Sequence, residues 1–225
     1  VRKMTDEEVL KYRMAQGNKM TRVQNQDIRM DELVAKARQA QPGLIVVDRA
    51  VYGKNQNYLT PENRVPGRAL PYPWESCIIA GGGWAWVPDP KFMSPREAVH
   101  LLVDIVVKGG NLLLNIGPAP DGTWPEEAYT LLEEIGGWMK VNGEAIYGTR
   151  ALTPHKDGKA CITRKGNDTW YLYYMADEGE NVPASVTMNG LTLPAGAKVS
   201  ALGSGAICRW KNGNGSFTVS IPQQV

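Results

Sequence analysis

Apolar and polar positions along the chain fall into two rhythms. Up to about residue 143, apolar residues come in blocks that alternate between helical and strand-like spacing. Met30-Asp31-Glu32 opens a helical pattern with Leu33, Val34 and Ala37 on one side, and Gln41-Pro42-Gly43 stops it, as Pro and Gly do. Leu44-Ile45-Val46-Val47 follows. That short, apolar, largely β-branched run predicts a strand buried on both faces, the kind found in parallel sheets, and it ends in Asp48-Arg49. Residues 74–79 predict a second strand. Gly81-Gly82-Gly83-Trp84-Ala85-Trp86 is too rich in glycine for regular structure and reads as a loop. Ser94-Pro95-Arg96-Glu97 starts a helix, with Ser94 as cap, Pro95 in the first turn and Glu97 completing a capping box. The pattern runs to Lys108, where Gly109-Gly110 ends it. Residues 111–117 predict a third buried strand. Pro125-Glu126-Glu127 opens a further helix, through Ile135 and Trp138 to Asn142-Gly143. The first 30 or so positions are polar and fit no template.

From about Thr149 the rhythm changes. Residues 160–164, 169–175, 184–188, 198–201, 206–210 and 216–221 are short and β-prone, and are separated by turns such as Lys165-Gly166-Asn167-Asp168 and Asn212-Gly213-Asn214-Gly215. This spacing predicts a small antiparallel sandwich. The fold class is therefore α/β: a partial (β/α) TIM-like barrel over residues 1–148, followed by an antiparallel β-sandwich domain over 149–225. A closed barrel of this kind needs eight strands, and an open sheet of three would leave apolar edges unpaired. The first region is expected to be part of something larger.

Composition narrows the functional classes. The chain has 225 residues, 43% of them hydrophobic, and a formal net charge of +2. The 25 Lys and Arg are scattered, so neither nucleic acid nor an anionic membrane is an expected partner. The longest apolar stretch, residues 101–107, contains Asp104 and is far short of the ~20 residues that span a bilayer. Cys77, Cys161 and Cys208 fit neither a zinc motif nor a CxxC pair. Cys161 and Cys208 could pair if neighbouring strands carry them; three buried thiols is the favoured reading, because Cys often serves as a small core residue. The chain starts Val1-Arg2-Lys3, with neither an initiator Met nor a signal peptide, as a processed or cut protein would.

Functional groups of β/α barrels gather at the C-terminal ends of strands. That rule selects Asp48-Arg49, Glu75, the Trp84 loop and Asn115, with Glu62 in the long loop after the first strand. Carboxylates beside tryptophans suit sugar chemistry. One carboxyl protonates a leaving oxygen, another attacks or activates water, and an indole packs on the apolar face of a pyranose.

The order and wording of the segments add a resemblance. Pro42-Gly43-Leu44-Ile45-Val46-Val47-Asp48-Arg49 is followed by Thr60-Pro61-Glu62, then Pro73-Trp74-Glu75-Ser76-Cys77 and Trp84-Ala85-Trp86. Lys108-Gly109-Gly110-Asn111-Leu112-Leu113-Leu114-Asn115-Ile116-Gly117-Pro118, Asp121-Gly122-Thr123 and Asn142-Gly143-Glu144-Ala145-Ile146-Tyr147-Gly148-Thr149 complete the series. Over roughly residues 28–150 this resembles the C-terminal half of the catalytic barrel of the α-L-fucosidases of glycoside hydrolase family 29. Residues 151–225 match that family's C-terminal sandwich in position and type.

The resemblance implies a retaining exo-α-L-fucosidase that removes terminal α-L-fucose from glycans by double displacement. Glu62 matches the general acid/base, Arg49 a strand-end arginine that contacts the sugar, and Trp84 an aromatic that packs on fucose. Glu75 is expected to brace the barrel, and Asn115 to satisfy polar groups near its mouth. The family's nucleophile is an Asp in a Trp-x-Asp-Gly context, which does not occur in this sequence. The N-terminal half of the barrel is thus an expected partner, from the same parent or a separate chain, and residues 1–225 alone are expected to be inactive. The alternative is a catalytically inactive carbohydrate-binding fragment. No metal or organic cofactor is implied. The resemblance places the parent in a secreted, periplasmic or lysosome-like compartment.

Overall fold

The structure, a computed structural model, describes residues 29–47 and 54–222. Helix α1 (Met30–Ala40) leads into residues 44–47. The strand expected there reduces to one parallel bridge, Val47 with Tyr58. Asn57 holds this segment from its side: its N–H donates to the Val46 carbonyl at 2.8 Å, and its Oδ1 accepts from Val46 N at 2.9 Å and from the Arg38 guanidinium at 2.8 Å. A side chain thereby takes the donor a strand ladder would use, and Ile45 stays 59% exposed.

Three further parallel layers follow in chain order. Residues 58–62 bridge strand β1 (Trp74–Ile79) at Leu59–Trp74 and Glu62–Cys77. Strand β1 pairs with β2 (Gly110–Asn115) from Trp74–Gly110 to Ile79–Asn115. Between them runs helix α2 (Pro95–Val107), whose expected capping box is present: Ser94 Oγ accepts from Glu97 N, and the Glu97 carboxylate accepts from Ser94 N at 2.7 Å. Helix α3 (Glu126–Ile146) follows β2. It runs past Asn142-Gly143 because Ala145 and Ile146 are buried, and Thr149 Oγ1 donates to the Ile146 carbonyl at 2.9 Å where the helix ends.

The helices cover one face of these layers. Leu112 packs with Trp74, Ile105 and Leu59, and Leu114 with Ala80, Ala98 and Leu131. Gly110 lets the sheet close on the Trp74 indole, since a Cβ there would lie 2.4 Å from that ring. On the opposite face no helix or strand packs among the described residues: Asn111 is exposed, Leu113 is 47% exposed, and Glu75, Cys77 and Ile79 are partly buried. The expectation of strands buried on both faces therefore holds for the helix side only. Among the described residues the parallel layers do not close into a barrel.

The C-terminal region holds two antiparallel sheets. One orders β3 (Arg150–Asp157), β4 (Ala160–Lys165) and β5 (Thr169–Tyr174) with β4 central; the other orders β6 (Ser185–Asn189), β8 (Ser216–Ser220) and β7 (Trp210–Asn212) with β8 central. They face each other across Ile162, Val186, Met188, Phe217 and Val219. Strand β3 was not expected. Pro154 interrupts its pattern, and the ladder to β4 shifts register between Ala151 and Lys156, where an edge strand tolerates Pro. Residues 198–201 and 206–210 form one bridge, Ser200–Ile207, around a tight turn closed by Ala201 N to Ala206 O at 2.8 Å.

Cys161 and Cys208 are buried and do not pair with each other, whereas Cys77, expected to be buried, is only partly so. Cys208 lies in the core between the two sheets, whereas Cys161 lies on the other side of β4 against α2 and α3. Val103, Val106, Val107 and Ile146 complete that second layer. Arg96 of α2 fastens it further, donating to the Ala176 carbonyl at 2.8 Å.

Candidate active site

Neighbours in a parallel register share a face of the sheet, and faces alternate along each strand. Leu59 pairs with Trp74 on the helix-covered face. Glu62 pairs with Cys77, three positions on in both segments, so Glu62 belongs to the uncovered face with Cys77 and its β2 partner Leu113. Glu62 is exposed and ends its segment, at the C-terminal edge of the layers. This is where a β/α barrel keeps its chemistry.

Two contacts hold the backbone beside it. Asn63 N donates to the Cys77 carbonyl at 2.8 Å, with Asn63 in a left-handed conformation (φ 51°). Ser76 Oγ, on the helix side, donates to the Arg64 carbonyl at 2.7 Å. Both residues following Glu62 are thus pinned to β1. Sequence reasoning missed Asn63 and Ser76 as positioning groups. The signal available was Ser76 itself, a polar residue at a helix-facing strand position and 0% exposed.

Glu75 lies on the Glu62 face, two residues nearer the N-terminal end of β1 and beside Asn111. Trp74, by contrast, is fully buried on the helix side, its indole N–H donating to the Lys108 carbonyl at 3.3 Å. The Trp74-Glu75 pair is therefore split between core and open face. Arg49, with Asp48, lies outside the described residues.

Trp84 sits on the loop after β1, 45% exposed. That loop is anchored at both ends: Ala80 N donates to Asn115 O at 2.9 Å and Met93 N to Ala80 O at 2.8 Å. Asn115 Nδ2 donates to the Trp84 carbonyl at 3.3 Å, so Asn115 satisfies a polar group at this edge. Gly117 approaches the same loop, where a Cβ would come within 2.5 Å of the Ala85 carbonyl carbon. The loop after β2 thereby supports the loop that carries Trp84. It also holds Asp121, whose carboxylate accepts from Thr123 N and Oγ1. Those bonds hold Asp121 below the ordinary carboxylate range, which suits a fixed anion rather than a proton donor.

Parallel segments in chain order with helices on one face define an arc of β/α-barrel type, with a carboxylate and a tryptophan loop toward its C-terminal edge. The sequence model for alpha-L-fucosidase matches residues 6–144, and the chain belongs to the alpha-L-fucosidase family. It is 38% identical to the plasma alpha-L-fucosidase of Rattus norvegicus over 123 residues, which is 52% of this chain and 26% of that protein. To the alpha-L-fucosidase of Dictyostelium discoideum it is 32% identical over 166 residues, 65% of this chain and 35% of that one. The structure matches that of the Thermotoga maritima alpha-fucosidase in complex with a mechanism-based inhibitor, with a TM-score of 0.73 and 28% identity over 87% of this chain and 45% of that one. The chain thus spans about a quarter to a third of these curated relatives and under half of that solved structure.

Proposed function

We propose that residues 1–225 supply the acid/base half of the active site of a retaining exo-α-L-fucosidase. The observation that carries this reading is the register pairing of Glu62 with Cys77, which sets a carboxyl on the open face at the C-terminal edge of the layers. Glu62 protonates the glycosidic oxygen as the first bond breaks, then takes the proton of the water that releases fucose. Trp84 packs on the apolar face of the sugar, and Arg49 contacts its hydroxyls. The nucleophilic carboxylate stands about 5–5.5 Å from Glu62 in such a site. It comes from parallel strands that cover the face bearing Leu113, in the same full-length polypeptide or on a second chain. The substrate is a glycan ending in α-L-fucose. A mechanism-based inhibitor bound to the Thermotoga maritima relative supports a covalent intermediate.

In the full-length protein, Glu62→Gln lowers turnover of fucosylated glycans by about 10²–10⁴-fold, the usual worth of general acid catalysis. Aryl fucosides with good leaving groups need little protonation, and their first step survives. Equal loss on both substrates would remove Glu62 from this role. By the same reading, residues 1–225 alone bind fucose through Trp84 without turning over fucosides, which calorimetric titration measures. No helix among the described residues is long and apolar enough to cross a membrane, and the proposed glycan substrate places the enzyme in a secreted, periplasmic or lysosome-like compartment.

A further inference from the structure

Three large aromatic side chains besides Trp84 stand at the same edge, and neither the core nor the proposed fucose pocket uses them. Trp86 is 41% exposed, two residues beyond Trp84 on the anchored loop. Trp124 and Tyr129 form a tilted ring pair, centroids 5.7 Å apart at 47°, where the loop after β2 enters α3. Tyr129 is 42% exposed, although neighbouring Ala128 is fully buried. Trp124 is partly buried, while Trp86 and Tyr129 keep a large share of their rings in solvent.

The backbone brings the two groups together. Trp86 N lies against Gly117, so close that a Cβ on Gly117 would be 2.6 Å from it. Two residues further on, Ala119 N donates to the Thr123 carbonyl at 2.7 Å, folding the loop so that Trp124 follows directly. The loop that touches Trp86 through Gly117 therefore leads, by way of this one turn, to Trp124. Asp121 and Thr123 add polar groups to the same turn. Rigid amphipathic rings with one wet edge suit a sugar, which presents an apolar C–H face and a hydroxyl rim.

We infer that Trp86 and the Trp124–Tyr129 pair form a platform that binds the saccharide to which fucose is attached, the leaving group of the reaction. This rests on the fucosidase reading above and extends it to the substrate's other half. The Gly117 contact joins the loop that carries Trp84 and Trp86 to the loop that leads to Trp124. Substrates with a long oligosaccharide leaving group use it, and aryl fucosides do not.

The test compares Trp86→Ala, Trp124→Ala and their combination in the full-length enzyme on a fucosylated tetrasaccharide and on 4-nitrophenyl α-L-fucoside. The double variant loses about tenfold or more in kcat/KM on the tetrasaccharide, an amount equivalent to one or two ring contacts, and less than twofold on the aryl fucoside. Trp124→Phe restores most of the loss. The defucosylated trisaccharide inhibits the parent enzyme and loses potency against the double variant. Equal losses on both substrates, or no loss on the tetrasaccharide, would overturn the platform while leaving the fucosidase reading intact. A parent enzyme that cleaves neither substrate would remove both.

Discussion

The antiparallel sandwich packs its two sheets on each other, with Ile162, Met188 and Phe217 each at most 2% exposed, although a cavity lined by Leu172, Val199 and Val219 opens beside them. The parallel arc buries one face under α2 and α3, and among the described residues no element covers the other, with Leu113 at 47% and Ile45 at 59%. Both regions obey the same rule, that apolar faces seek cover, yet among the described residues the sandwich finds far more of its cover than the arc does. The open face is also the one that bears Glu62. Incomplete packing and candidate chemistry coincide, as they do where a catalytic centre lies inside a barrel that several strands must close.

The strongest way to break this comparison, after Glu62→Gln, is a matched pair of truncations in residues 1–225. Phe217→Ala removes a buried ring from between the two sheets and costs about 3–5 kcal/mol. Leu113→Ala sits on the open face and changes stability by only about 0.5 kcal/mol. Urea denaturation of both reads the contrast directly, and comparable losses would mean that the Leu113 face is already covered. Next in size, Gly117→Ala forces a Cβ into the Ala85–Trp86 backbone and shifts the tryptophan loop. In the full-length enzyme it raises KM for aryl fucoside several-fold, about 1 kcal/mol, and lowers Tm as well, because the Cβ meets backbone rather than a movable side chain. Ser94→Ala removes one side of the α2 capping box and costs about 1 kcal/mol, seen equally in both regions because α2 packs against each.

The smallest effect concerns pH at the seam between the regions. His100 of α2 and His155 of β3 are both shifted below the ordinary histidine value of 6.5, mainly by burial. Arg96, Lys156 and Lys108 add to the shift, opposed by Asp177 beside His100 and by Asp104 beside His155. The folded state thus resists protonating them. Their contribution to stability is full above pH 6.5 and is lost as the pH falls through the lowered folded values. Replacing both with Gln flattens the Tm profile below pH 6.5, and an unchanged slope would exclude them as its source.

Legibility in the sequence followed how local each signal was. The start of α2 was readable because its capping box is complete within four residues. The bounds of β1 were readable because Pro73 precedes it and Gly81 follows, leaving a short β-prone run between. Strand β3 was hidden because Pro154 argues against a strand and only an edge position tolerates it. The end of α3 was misplaced at Asn142-Gly143, where tertiary burial of Ala145 and Ile146 outweighs a weak local stop. At the site, Glu62 and Trp84 stood out as residue types in a recognisable order. Asn63, Ser76 and the Gly117 contact did not, because each matters through a partner at least twelve residues away.

The central claim is that the face bearing Glu62 is one part of a fucosidase site completed by further strands. Fucose release from 4-nitrophenyl α-L-fucoside, measured for purified residues 1–225 and for the full-length polypeptide, tests it most directly. The account predicts turnover by the full-length protein and none by residues 1–225 alone. Turnover by residues 1–225 at a comparable rate would contradict it, because a second carboxylate within this chain would then be the nucleophile.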